Sequence, residues 1–303
     1  MRIVLDTTKL VEIFIACDDL TKKLSTYCLE NNLQKQPCQP LMSESEMMTI
    51  VIFYHHSGFR CFKYYYEQIV QKAFKSYFPQ SYSYCRFVNL MKALNFPLFV
   101  LLTACRMSTT TAGNYIDATK LVVSHNKRIP THKTFAAIAK RGKTSTGWFF
   151  GFKLHAVINH FGQLVVLQVT PGNIADNNVE VLQQLTRHLQ GFLFGDAGYI
   201  TSLTASLQQR GVQLITKLRE NMKPQPLTPE EKYYLGHRGL IETVFDCLKN
   251  LCNIDHSRHR SVRNFFINLW AGLLAYTFMD RAPCIPTYVS KVDSLKCIDI
   301  VLI

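Results

Sequence analysis

The sequence predicts an α/β fold, in which a mixed β-sheet flanked by helices is preceded by an all-helical N-terminal domain. Residues 8–107 place apolar side chains at helical spacing and carry few strand signals. After residue 112 three β-rich runs come first, and later ones alternate with helical segments, as the crossovers of a partly parallel sheet require. We therefore divide the chain into a helical domain (1–112), an α/β domain (113–282) and a tail (283–303).

The helical domain contains one clear start signal. Ser43-Glu44-Ser45-Glu46 has the pattern of a capping box, which predicts a helix through MMTIVIFYHH. Residues 60–77 and 83–95 repeat the helical spacing of apolar and aromatic side chains. Together these segments predict a small helical bundle.

The α/β domain is predicted from runs of β-branched and aromatic residues separated by turns. The predicted strands are 115–123, 147–159, 164–171, 192–199 (ending in a turn) and 212–219, the second and third forming a hairpin around HFGQ. The predicted helices are 176–190 with Asp176 as N-cap, 201–211, 237–250 and 263–279. Residues 221–232, which contain three prolines, are predicted to be a loop.

Charge points to a polyanionic partner, because the chain has a net charge of +13 and a pI of about 9.3. The candidates are nucleic acid, an acidic membrane surface, or no specific partner at all. The apolar stretches 96–105 and 265–279 fall short of the ~20 residues that span a bilayer, so nucleic acid is favoured and no membrane association is expected. The ten scattered cysteines are interpreted as reduced core thiols of a cytoplasmic protein.

Positive charge is concentrated between residues 118 and 175, which contain no Asp or Glu. The basic residues of this stretch are Lys120, Lys127, Arg128, Lys133, Lys140, Arg141, Lys143 and Lys153. Such a stretch is suited to lie along phosphates. For residues 124–146 a disordered basic loop explains the pattern equally well, whereas Lys153 lies in a predicted strand.

Three carboxylates stand out as candidate site residues. Asp117 and Asp196 adjoin buried strands, where each could instead cap a turn. Glu242 lies on the polar face of the predicted helix 237–250, with Arg238 one turn before it and Lys249 two turns after it. A salt-bridged surface helix is the alternative. Three carboxylates converging from two strands and a helix are what a pair of Mg²⁺ ions needs to catalyse phosphoryl transfer.

The motifs YIDAT, GFKLH, TPGNIAD and GDAGY, with the spacing of Arg238, Glu242 and Lys249, resemble DDE transposases of bacterial insertion sequences, in particular the insertion sequence 982 family. The resemblance covers about residues 113–280. It implies a ribonuclease-H-like core in which Asp117, Asp196 and Glu242 are the catalytic metal ligands. Asp246 is the alternative third acid, and Leu235 stands where related transposases often have a tyrosine.

The resemblance also implies what the protein does and needs. We expect it to cut at the terminal inverted repeats of its own element and to join the 3′ ends to target DNA, using two Mg²⁺ ions that Mn²⁺ can replace. Double-stranded DNA and a second copy of the chain are the expected partners, in the bacterial cytoplasm at the nucleoid, with residues 1–112 binding the element ends. The expected DNA contacts are Arg238, Lys249, Lys153, Lys120 and Arg141. A DNA-end-binding protein without catalysis and a related ribonuclease-H-like nuclease are the alternatives.

Overall fold

The computed structural model describes residues 5–31, 40–145, 147–217, 222, 226–255 and 259–289. The chain forms two compact units that interleave in sequence. The first unit comprises residues 1–107, 130–137 and 246–280, and the second comprises 108–129, 138–245 and 281–303. The predicted domains are consecutive in sequence, and their boundaries at 112 and 282 stay a prediction.

The described residues contain ten α-helices and six strands. The helices are α1 (Thr7–Glu30), α2 (Glu44–His56), α3 (Phe62–Tyr65), α4 (Tyr84–Leu90), α5 (Asn95–Val100), α6 (Val179–Leu185), α7 (Thr204–Gln209), α8 (Pro229–Gly236), α9 (Leu240–Asp246) and α10 (Val262–Thr277). The strands are β1 (Asn114–Ser124), β2 (Lys140–Thr144), β3 (Gly147–Asn159), β4 (Leu164–Pro171), β5 (Gly191–Gly195) and β6 (Val212–Thr216). Short π-helical segments follow α3, α5 and α9 (Tyr66–Ala73, Leu101–Arg106 and Cys247–Leu251), and 3₁₀ segments include Met91–Leu94, Asn126–Thr131 and Ala197–Tyr199.

The first unit is helical, as predicted, and α2 lies at its centre. The predicted capping box is confirmed: Ser43 Oγ accepts the Glu46 N–H at 3.0 Å, and Glu46 Oε2 accepts the Ser43 N–H at 2.6 Å. Helix α2 is buried along most of its length because it packs between α1 and α10. The apolar helix predicted for 263–279 is confirmed as α10.

One helical run in the first unit is longer than the apolar stretch seen in the sequence. Helices α4 and α5 join with their 3₁₀ and π-helical extensions into a run over residues 84–106, which by length and composition could cross a membrane. Of its most apolar 18 residues 39% are buried, and the ring of Phe99 packs edge-to-face on Trp270 of α10 at 5.3 Å. A core helix can share this composition, and the absence of a membrane partner stays a prediction.

The second unit is built on one six-stranded mixed sheet, which confirms the predicted fold class. The main strand order is β2-β3-β1-β5-β6, and β4 also pairs with β3. Strand β3 runs antiparallel to β1 on one side and to β2 and β4 on the other. Strand β5 runs parallel to both β1 and β6. The predicted hairpin of β3 and β4 is confirmed.

Helices cover both faces of this sheet. On one face Ile116 and Val157 pack into an apolar cluster with Leu182 of α6 and Leu207 of α7. On the other face Tyr234 of α8 lies 5.9 Å from the ring of Phe194. These two layers bury the central strands and leave the carboxyl end of β5 next to β1.

The structure differs from the local predictions in three places. Strand β2 was not predicted, because its sequence KRGKT is charged and has no apolar alternation. Helix α6 is shorter than predicted and is capped by Asn178, whereas Asp176 forms an ion pair with Lys153 at 2.8 Å. The proline-rich loop ends early, since Thr228 and Pro229 start α8 with a second capping box. Residues 218–221 and 223–225 of the predicted strand and loop lie outside the described residues.

The first part of the predicted tail is in contact with the sheet unit. The Ile285 N–H donates to the His160 carbonyl at 2.9 Å. Tyr233 donates its hydroxyl hydrogen to the Pro286 carbonyl at 3.0 Å, and Tyr234 accepts the Tyr288 N–H at 3.1 Å. The tyrosines that precede Leu235 therefore support the fold. Residues 290–303 of the tail lie outside the described residues.

We expect Gly151→Ala to lower the free energy of unfolding by about 3 kcal/mol, because a Cβ there would lie 2.0 Å from the Leu121 carbonyl oxygen on the neighbouring strand. Backbone atoms of a paired strand cannot move aside as a side chain can. Gly236→Ala, where a Cβ would meet open space, is the matched control. Urea denaturation measures both, and equal stability of the two variants would contradict the prediction.

Candidate active site

Two of the predicted acids lie at the same level on neighbouring strands. Strands β1 and β5 are parallel, with Tyr115 beside Phe194. Asp117 and Asp196 each follow two positions later, which brings them to the same face of the sheet, since side chains alternate along a strand. Strand β5 ends at Gly195, so Asp196 lies where this strand opens into a turn.

Asp196 also caps the turn that follows. Its Oδ1 accepts the Gly198 N–H at 2.8 Å, at the start of the 3₁₀ segment Ala197–Tyr199. The capping role considered as an alternative is therefore present. It fixes the orientation of the carboxylate, because one oxygen is held by the backbone.

Asp117 is the more enclosed of the two acids, with a side chain that is 23% exposed. Its Oδ1 accepts the Ala118 N–H at 2.7 Å. Burial raises the pKa of Asp117 to about 6; the hydrogen bond from Ala118 opposes this rise, and the negative charge of Asp196 adds to it. Asp196 is therefore close enough to disfavour the charge of Asp117.

Arg238 links Asp117 to Glu242. It lies in the turn between α8 and α9, and its side chain is 16% exposed. Its Nη2 donates to Glu242 Oε1 at 2.8 Å, and its Nη1 lies 3.9 Å from Asp117 Oδ2. The predicted Arg238–Glu242 pair is formed, although Arg238 precedes the helix instead of lying within it.

The other two polar residues of the predicted helix 237–250 have different surroundings. Asp246, the alternative third acid, accepts a hydrogen bond from the side-chain amide of Asn250. Lys249 lies in the π-helical segment Cys247–Leu251, where the ~100° per residue assumed for an α-helix no longer holds. Of the two candidate acids, Glu242 is the one that shares Arg238 with Asp117.

The donor set partly fits a divalent cation. Asp117 and Asp196 offer hard oxygen ligands, and a cation would stabilise the charge of Asp117, which burial and the neighbouring Asp196 disfavour. Glu242 is bound to Arg238, and its side chain is 60% exposed. Among the residues that the structure describes, no three His, Cys, Asp or Glu side chains are yet grouped closely enough to hold a metal ion.

The predicted lysine contacts lie away from these acids. Lys120 and Lys153 are directly paired across β1 and β3, and alternation places them on the opposite face of the sheet from Asp117. Lys153 is 8% exposed and binds Asp176. Arg141 lies on β2, where its guanidinium packs 4.8 Å from the ring centre of Trp148.

Two residues of this region were not singled out from the sequence. Asp176 was interpreted as a helix cap, yet its negative charge contributes to the raised pKa of Asp117, after burial and the charge of Asp196. The sequence does mark Asp176, because it is the first acid after the acid-free stretch 118–175. Trp148 had no signal beyond its place in an apolar run.

The strand order, with one acid on the first strand, one at the end of the adjacent parallel strand and one on a later helix, defines a ribonuclease-H-like fold of the kind that carries phosphoryl-transfer sites. The family described as Transposase DDE domain matches residues 107–262. The chain belongs to this family and is an enzyme of the transposase kind, a class that binds DNA and uses divalent metal ions. Searches of curated proteins and of solved structures gave no match. Membership of the insertion sequence 982 family stays a prediction.

Proposed function

We propose that this transposase cuts DNA at the terminal inverted repeats of its insertion sequence and transfers the freed 3′ ends into target DNA. The observation that carries the proposal is that Asp117 on β1 lies beside Asp196 at the end of the adjacent parallel strand β5, with Arg238 between Asp117 and Glu242. Both reactions are in-line displacements at phosphorus, so one set of residues can serve both.

In this proposal Asp117, Asp196 and Glu242 hold two Mg²⁺ ions, for which Mn²⁺ can substitute. When bound, these ions would stabilise the attacking and leaving oxygens of the displacement. Asp196 is oriented for this role by Gly198, and Arg238 orients Glu242.

The remaining predicted contacts are proposed to bind DNA away from the reacting phosphate. Lys249 follows the third acid in the chain, and Arg141 lies on the β2–β3 hairpin. Lys120 and Lys153, on the opposite face from Asp117, would act on a more distant part of the DNA. We further propose that residues 1–112 bind the element ends and that two copies of the chain pair them, since both ends must react.

Asp196→Ala is expected to lower cleavage at least a thousandfold while leaving DNA affinity within about threefold, because it removes a metal ligand and few phosphate contacts. The assay is Mg²⁺-dependent nicking of DNA that contains the sequences flanking the coding region. Asp246→Ala, which removes a carboxylate bound to Asn250, is the matched control and should cut like the wild type.

The assay also separates the alternatives. Cleavage by the Asp196→Ala protein at the wild-type rate would contradict the proposed roles of the acids. A wild-type protein that binds the element ends but cuts in no divalent metal would be an end-binding protein instead. Cutting of junctions or RNA–DNA hybrids without end preference would indicate a related nuclease.

A further inference from the structure

A tryptophan is exposed at the β2–β3 hairpin of the second unit. The side chain of Trp148 is 52% exposed, although large apolar side chains are normally buried. It lies directly across from Lys143 on β2. The Arg141 guanidinium is 4.8 Å and the Lys143 ammonium 5.7 Å from the ring centre. The hairpin therefore presents an aromatic ring with two cations beside it.

This ring borders a cavity that extends toward the candidate active site. The cavity has a volume of about 470 Å³ and is lined by Arg141, Lys143, Trp148 and the turn after β4. Its wall also includes Gly198, whose N–H is held by Asp196. A group seated against Trp148 would thus lie in the same cavity as the residue that orients a catalytic carboxylate.

The hairpin is held in place by close backbone packing. A Cβ at Gly142 would lie 2.0 Å from the Gly172 carbonyl oxygen, so β2 and the turn after β4 approach as closely as their backbones allow. Among the described residues that line the cavity the only acid is Asp176, which is paired with Lys153 at 2.8 Å. The unneutralised charge that faces the cavity is therefore positive, from Arg141 and Lys143.

We propose that this cavity is a binding subsite for an unpaired nucleotide of the DNA substrate, and this proposal rests on the proposed function. The base stacks on Trp148, and the flanking phosphates contact Arg141 and Lys143. The charge of the cavity and of the acid-free stretch selects a polyanion. The aromatic face selects an unpaired base, because the faces of paired bases are covered by their neighbours in the duplex.

Tryptophan fluorescence can test this directly. The chain has two tryptophans, and the second, Trp270, lies in the helical unit with its indole N–H donating to Asn95. In a Trp270→Phe protein the emission reports on Trp148 alone. The probe is an oligothymidine of about ten nucleotides, within the site sizes of single-strand-binding proteins. It is added without divalent metal, and a duplex of equal length is compared.

The subsite predicts strong quenching by the single strand and weak quenching by the duplex. It also predicts that Trp148→Ala weakens single-strand binding about tenfold or more, as loss of one base–aromatic stack does, while Trp148→Phe retains most of the affinity. Phe161→Ala, which removes an aromatic side chain that is 44% exposed at the other end of β3, is the matched control and should bind like the wild type. Circular dichroism checks that each variant folds.

Unchanged emission on adding the single strand, or equal affinity of the Trp148→Ala and wild-type proteins, would overturn the subsite. Equal quenching by duplex and single strand would also overturn it, because the hairpin would then bind only the DNA backbone. A nicking assay on the same preparations separates the two proposals. Cleavage of element ends with unchanged Trp148→Ala binding refutes the subsite alone, whereas a wild type that neither binds nor cuts DNA refutes the proposed function as well.

Discussion

Asp117→Asn is expected to abolish DNA cleavage and at the same time to stabilise the metal-free protein at neutral pH. Burial, with a further contribution from the charge of Asp196, raises the pKa of Asp117 to about 6 from its ordinary value of 3.8. The folded protein therefore binds this proton more tightly than the unfolded chain does. At pH 3, below the ordinary value, Asp117 is mostly protonated in both states, so the carboxyl group and the amide of the variant are nearly equivalent.

As the pH rises through 6, the folded wild type must ionise Asp117 in unfavourable surroundings and loses stability relative to the variant. A rise of this size corresponds to about 3 kcal/mol. The attraction of Arg238 for Asp117 is already part of this pKa, which it lowers, so we expect the variant to gain about 3 kcal/mol at pH 8.

Urea denaturation with a chelator at pH 3 and pH 8 measures this difference. The pH 3 comparison is the internal control, since there the two proteins should unfold alike. With saturating Mg²⁺ at pH 8 the order should reverse, because the cation stabilises the ionised wild-type carboxylate. A variant that is less stable than the wild type at pH 8 without metal would show that the fold does not disfavour the ionised form of Asp117.

Much of the fold could be predicted because its strands bury regular apolar patterns. Strands β1, β3 and β5 contain the runs YIDAT, FFGF and FLFG, whose aromatic and β-branched residues are typical of buried strands. Strand β2 could not be predicted in this way. It joins the sheet through backbone hydrogen bonds to β3, and its charged side chains remain largely exposed. An edge strand of this kind needs no apolar side chains, so it has no periodic signal.

The candidate site was predictable to a similar degree. Asp117 and Asp196 stood out because an acid beside a buried strand is unusual, and Glu242 because Arg238 is one turn away. The approach of Arg238 to Asp117 at 3.9 Å joins distant parts of the chain through the folded sheet, and no local pattern encodes it. No local pattern predicts the ion pair of Asp176 with Lys153 either, because it depends on the path of the chain after β4.

Arg238→Ala is expected to slow DNA cleavage about a hundredfold or more and yet to tighten the binding of divalent metal. The guanidinium lies 2.8 Å from Glu242 and 3.9 Å from Asp117, so it competes with a cation for the same two carboxylates. Without it, the repulsion between these acids favours a metal ion more strongly. The rate falls because the group that orients Glu242 and stabilises charge on the reacting phosphate is gone.

The opposite signs of these effects distinguish Arg238 from a residue that only supports the fold. Calorimetric titration of Mn²⁺ into the DNA-free protein should give a dissociation constant severalfold lower for Arg238→Ala, while single-turnover cleavage at saturating DNA gives the lower rate. Arg238→Lys should fall between, since one ammonium group cannot reach both carboxylates as the planar fork does. Arg210→Ala, which removes a cation that donates to Thr186, should change neither quantity. A slower Arg238→Ala enzyme with unchanged Mn²⁺ affinity would mean that this arginine contacts DNA alone and does not hold the acids.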